Sequence, residues 1–199
     1  MKKTFGLALA FLVLAAGADA APITFFHQGT GSYSLAGSDY LNASFTIRAY
    51  GDTDNRNYYL SSNVYDIPHD RSFIDIDGLG TLNFLVNTRT FMNNQYFAMG
   101  FSRAGETGGD LFDGPWGGMS TSWDMLTSLG PIFGNTSLGQ WDGDDILTDR
   151  GTLKFHGNFL PGSFEAVVGS APVPIPGGVW LLGSGLVGLM GFQKRMKKK

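Results

Sequence analysis

The chain has 199 residues, 14 Lys and Arg against 17 Asp and Glu, 43% hydrophobic residues and no cysteine. The absence of cysteine excludes a disulfide framework and thiol chemistry. Half of the cations sit at the two ends: residues 21–171 keep seven against 16 Asp and Glu, a charge of about −9, and phosphate binding needs clustered Lys and Arg, so nucleic acid is excluded as a partner.

Met1-Lys2-Lys3 is a basic start and residues 5–16 are apolar. Ala18-Asp19-Ala20 then places small residues at both specificity positions of a signal-peptidase site, so cleavage after Ala20 is expected and residues 1–20 are read as a signal helix. The body, residues 21–171, has the size of one domain, and its 13 Phe, seven Tyr and three Trp supply enough apolar surface for a core without cross-links.

Along the body, period-two alternation predicts strands. Residues 43–49 place Phe45 and Ile47 on one face and Ser44, Thr46 and Arg48 on the other. Residues 81–87 do the same with Leu82, Phe84 and Val86 inward. Similar patterns occur at 23–26, 58–64, 72–76, 96–101, 152–155 and 163–168, with turn signals at Gly51-Asp52, Asp77-Gly78, Gly105–Gly109 and Asp142-Gly143. Eight to ten short strands at this spacing predict a mainly β fold, an antiparallel β-sandwich of jelly-roll or Ig-like type. Trp123, Leu126 and Leu129 at threefold spacing, before Gly130-Pro131, predict one short helix over 120–129.

Candidate chemistry in the body is sparse. His27, His69 and His156 are far apart in sequence and read as surface or half-buried strand residues. Asp75 and Asp77 share a strand face and form a possible carboxylate pair, although Ile74 and Ile76 pointing inward explains the alternation more simply. Asp52 and Asp54, and Asp142, Asp144 and Asp145, put hard oxygens in short turns and are the candidate ligands for Ca²⁺, the one cofactor considered. Asp is equally an ordinary turn former, and neither segment fits the twelve-residue calcium loop. Trp116, Trp123 and Trp141 are core residues or a sugar-stacking surface. With no recognisable acid–base pair, the body reads as non-enzymatic; a carbohydrate-binding or carbohydrate-active secreted protein is the alternative.

Residues 172–199 are organised differently. Val173-Pro174-Ile175-Pro176 opens a Pro motif over 173–178; an uncharged, Gly-rich apolar run follows over 178–192 and a basic tail over 194–199. The run spans about 22 Å as a helix, short of the roughly 30 Å hydrocarbon core, but Trp180 and the Lys/Arg tail extend its reach as anchors, so a transmembrane helix is expected. The tail, resisting translocation, is expected in the cytoplasm with the body outside it.

This end resembles the PEP-CTERM sorting signals of exosortase substrates, in the variant that reads Val-Pro-Leu-Pro-Ala-Ala. The match is Val173-Pro174-Ile175-Pro176, then Val179-Trp180-Leu181-Leu182-Gly183-Ser184-Gly185-Leu186; Ile175 replaces the usual Leu and Gly177-Gly178 the usual Ala pair. The resemblance covers about 27 residues. It implies transient retention in the inner membrane with the body in the periplasm, recognition by an exosortase, cleavage near the Pro motif, and release to the cell surface or extracellular matrix, often in association with exopolysaccharide or biofilm.

Overall fold

The structure is a computed structural model that describes residues 21–105, 109–117, 119 and 121–169. The signal segment and the sorting signal, with Ala18, Ala20, Val173, Pro174, Ile175 and Pro176, lie outside these residues.

Twelve strands occur among the described residues: β1 Pro22–Leu35, β2 Ser38–Asp52, β3 Asn57–Tyr59, β4 Val64–Ile76, β5 Gly80–Asn83, β6 Thr88–Asn93, β7 Ala98–Arg103, β8 Asp110–Trp116, β9 Leu129–Ser137, β10 Ile146–Thr148, β11 Gly151–His156 and β12 Asn158–Val168. Eight of them, in the order β1-β12-β9-β8-β7-β6-β4-β2, form an antiparallel sheet that returns on itself through β1–β2 pairing. The fold is therefore a closed β-barrel, which overturns the predicted sandwich of jelly-roll or Ig-like type. Alternation cannot separate the two, because both bury one face of each strand. Strand length does separate them. β1, β2 and β4 run for 14, 15 and 13 residues, long enough to change neighbours along their course. β1 pairs with β12 over Ile23–Gln28 and with β11 over Ser32–Leu35, while its other edge stays on β2 throughout. β4 likewise pairs with β6 near its start and with β5 near its end. The hairpins β10–β11 and β3–β4 and the short β5 hang on this ring.

The predicted strand 58–64 is in fact β3, a turn and the first residue of β4. The predicted helix is also absent. Residues 121–128 form an irregular crossing in which Trp123 and Met125 are buried, and the helical turns among the described residues are two 3₁₀ turns at Thr53–Asn55 and Trp141–Gly143. The side chain of Asn94 holds the crossing: its Oδ1 accepts from the Trp123 amide at 2.9 Å and its Nδ2 donates to the Trp123 carbonyl at 3.0 Å. Met125 adopts φ +64°, which a helix does not allow. The threefold spacing was thus a coincidence of a loop pinned from outside.

The interior is filled by side chains. Phe25, Phe101, Phe112, Phe155, Phe164 and Trp141 are fully buried, and Phe45, Ile47 and Leu82 point inward as their alternation requires. The outer positions of the same strands are mixed, with Gln28, Thr30, Ser44, Thr46 and Arg48 beside half-buried Phe26, Tyr50 and Phe73. No helix among the described residues is long and apolar enough to cross a membrane. At one rim the chain ends meet: the Ala21 amide donates to Thr53 Oγ1 at 3.2 Å, Ile23 pairs with Val168, and the Gly169 amide donates to the Pro22 carbonyl at 2.8 Å.

Candidate functional site: an outer trough across six strands

Two of the three histidines converge, contrary to their separation in sequence. His27 on β1 and His69 on β4 both point into the barrel and share the hydroxyl of Thr90, at 3.1 Å and 2.9 Å from their Nε2 atoms. His69 Nδ1 lies 2.9 Å from Thr88 Oγ1, which is 2.7 Å from Ser72 Oγ. A chain of hydroxyls and imidazoles therefore runs inward from a polar cavity of 170 Å³ where β5 and β6 diverge along β4. Burial pushes the His27 imidazole down to about 3 and holds His69 well below its usual range, the second effect reinforced by the neighbouring His27. Their partners are hydroxyls rather than a carboxylate, so both rings are neutral and nothing orients them as a hydrolytic triad does. Phe101, Phe112 and Phe164 pack edge-on or tilted against His27. The chain is a polar strut within the core. His156, on β11, is apart from it.

The acidic candidates disperse. Asp52 Oδ1 accepts from the Asp54 amide at 2.9 Å, which is the turn-forming role. Asp145 pairs with Lys154 at 2.8 Å and Asp144 lies 3.6 Å from Arg103; the Asp142 side chain is not among those described. No group of three metal-type ligands occurs among the described residues. Trp123 and Trp141 are core residues, 5% and 0% exposed, and Trp116 is half-buried, so the three do not form a sugar-stacking surface.

Two open concavities lie on the outside of the barrel. An open cleft of 490 Å³ is lined by Ser44, Phe45, Thr46 and residues 75–80; a second of 430 Å³ is lined by Gln28, Gly29, Thr30, the same Ser44–Thr46 segment, Phe133 and residues 161–163. The shared segment joins them into one trough. Its floor follows the strand register: Phe133 opposes Ser163, Ser163 opposes Gln28, Gln28 opposes Thr46, Thr46 opposes Asp75 and Asp75 opposes Thr81. Their neighbours Phe45, Ile47 and Phe164 face the core, so this row lies on the outer side, with Gln28, Phe133 and Thr81 exposed, Thr46 and Asp75 half-buried and Ser163 buried. At about 4.8 Å per strand the row spans roughly 24 Å.

The floor is preset by hydrogen bonds. Ser163 Oγ donates to Gln28 Oε1 at 2.9 Å. Asp75 is held by the Arg48 guanidinium through one oxygen and by the Thr81 hydroxyl through the other. Asp75 is therefore engaged and is not one half of a free carboxylate pair; Asp77, beyond it, is exposed. Phe133 stands at the far end, 69% exposed. Sequence reading found Asp75 and Asp77 but missed Gln28, Thr46, Phe133 and Ser163. Each is an ordinary polar or aromatic strand residue, and only the register places them in one row.

No family model, curated protein or solved structure matches this chain.

Proposed function

We propose that the chain is an exported, non-enzymatic barrel that is sorted through its C-terminal segment and resides at the cell surface or in the extracellular matrix. The observation that carries this reading is the ordered end of the chain: Val173-Pro174-Ile175-Pro176, an uncharged apolar run and a terminal Lys/Arg tail. The body fits such a cargo. It is a filled barrel whose last strand ends at Val168, five residues before the Pro motif. Pro174 and Pro176 fix φ and resist helix, which keeps the motif extended where an intramembrane enzyme can reach it. The apolar run is short and Gly-rich, suited to transient retention better than to permanent anchorage.

Mass spectrometry of the protein from cells with an active exosortase tests the reading. The expected chain begins at Ala21 and has lost Lys199. A mature chain that retains Lys199 overturns the sorting step. A reporter fused after Lys199 is expected to work only in the cytoplasm before processing; activity confined to the periplasm overturns the orientation.

A further inference from the structure

We propose that the outer trough is a binding site for an uncharged polysaccharide chain. This deepens the matrix reading by giving the barrel a ligand, but it stands on the geometry of the body alone.

The chemistry of the floor selects the ligand class. Ser163, Gln28, Thr46 and Asp75 each sit where their strand is paired on both edges, so the backbone there offers nothing to an extended peptide seeking to add a strand. What the floor presents is a row of hydroxyl, amide and carboxylate groups, widened by Thr30 and Ser44. These are the partners of a ligand that is itself covered in hydroxyls. Phe45, Ile76, Leu79 and Pro161 line the two clefts between these polar groups. Phe133, beside the exposed Pro161, supplies an aromatic plane at the end opposite the acids, where the C–H face of a sugar ring can lie on it.

Charge narrows the class further. The charged residues lining the trough are Asp75, neutralised by Arg48, and Asp77. Elsewhere on the body the cations are committed: Arg56 to Asp124, Arg89 to Asp66, Arg103 to Asp144 and Lys154 to Asp145, while Arg71 lies over Tyr50 and Arg150 donates to the Leu79 carbonyl. An anionic polysaccharide would meet uncompensated carboxylates and lose its own hydration without an ion pair in return. An uncharged chain meets no such penalty. The trough is open along its roughly 24 Å floor, which suits the middle of a polymer as well as its end.

Affinity electrophoresis of the intact mature protein tests the site. The probes are laminarin, galactomannan and dextran as neutral polymers, alginate as the anionic one, and the neutral fraction of the producing cells' own extracellular polysaccharide. Retardation by at least one neutral probe, and weaker retardation by alginate, is expected. Phe133→Ala and Gln28→Ala are expected to weaken binding about tenfold each, Phe133→Tyr to retain it, and Thr46→Trp, which fills the floor from its exposed side, to abolish it. Circular dichroism of each variant shows whether the barrel is intact. Failure to bind every neutral probe overturns the proposal, as does binding that survives both Phe133→Ala and Thr46→Trp in folded protein, or a preference for alginate. A chain that binds but keeps Lys199 refutes the sorting step and leaves the trough standing; a processed chain that binds nothing does the reverse.

Discussion

His27 is fully buried and His69 half-buried beside it, and the lowered proton affinity of both imidazoles makes the fold sensitive to acid. The sign follows from linkage. A histidine whose folded value lies below its unfolded value contributes nothing adverse above about pH 6.5, and costs stability increasingly as the pH falls toward the folded value, because the unfolded chain then binds the proton first. For His27 that window runs from about 6.5 down to about 3. The melting temperature is expected to fall steeply between pH 6.5 and 4, and His27→Leu to flatten that fall while leaving Thr90 its bond to His69; an unchanged acid limb in a folded variant contradicts it. Asp113 acts in the opposite direction. Burial, aided by the nearby Asp110 carboxylate, pushes its carboxyl up from 3.8 to about 7. The folded state therefore holds a proton that the unfolded chain has lost between about pH 4 and 7, and this contribution to stability fades as the pH rises through that window. Asp113→Asn is expected to raise the melting temperature at pH 8 and leave it nearly unchanged at pH 4, which thermal melts at the two pH values check. Neither effect could be read in the sequence. His27 in Phe25-Phe26-His27-Gln28 resembles any strand residue until β4 and β6 are known to lie across from it.

Elements were legible to the extent that each does one thing. The segments around Phe45 and Ala166 alternate against a single interior, and there the predicted strands fall within the observed ones, whereas the strand expected over 81–87 ends at Asn83 even though Leu82 and Phe84 are buried as predicted. Where an element serves two neighbours, pattern reading failed. β4 passes from β6 to β5 across an exposed Pro68, and only its last five residues carry a clean alternation. The 121–128 crossing is a sharper case, because its conformation is imposed by Asn94, nearly thirty residues earlier. Removing both of that side chain's bonds leaves buried backbone groups of Trp123 unpaired, at roughly 1–3 kcal/mol. Asn94→Ala is accordingly expected to lower the unfolding free energy by about that amount in a denaturant titration, with Trp123 fluorescence shifting to the red as the crossing loosens. A variant as stable as the parent would show that the crossing is held by packing alone.

At the scale of the whole molecule, closure is what the sequence could not show, since it depends on which strand meets β1 after the circuit. Glycine marks the closest approaches. A Cβ on Gly100 would lie 2.6 Å from a Phe91 ring carbon, and one on Gly31 would lie 2.7 Å from Leu138, so backbone and side chain touch at two points of the wall. Trp141, fully buried against Phe84 and Phe155 and donating to the Leu153 carbonyl at 3.1 Å, closes the core beneath the β10–β11 hairpin. Trp141→Ala is expected to cost about 3–5 kcal/mol, measured by denaturant unfolding, and a loss below about 1 kcal/mol would place that hairpin outside the cooperative unit. The candidate site has the same origin as the closure: its row of residues is written in six separate strands and is assembled only by their register.

The meeting of the chain ends has a mechanical consequence. Because Ile23 lies beside Val168 and Pro22 holds Gly169, a pull between residues 21 and 169 peels β1 from β12 one bond at a time, and the barrel yields at low force. A load that enters through Thr46 and Gln28 and leaves through Gly169 instead runs along β12, straining its bonds to β1 and β9 together. The same molecule is thus a zipper in one direction and a cleat in the other.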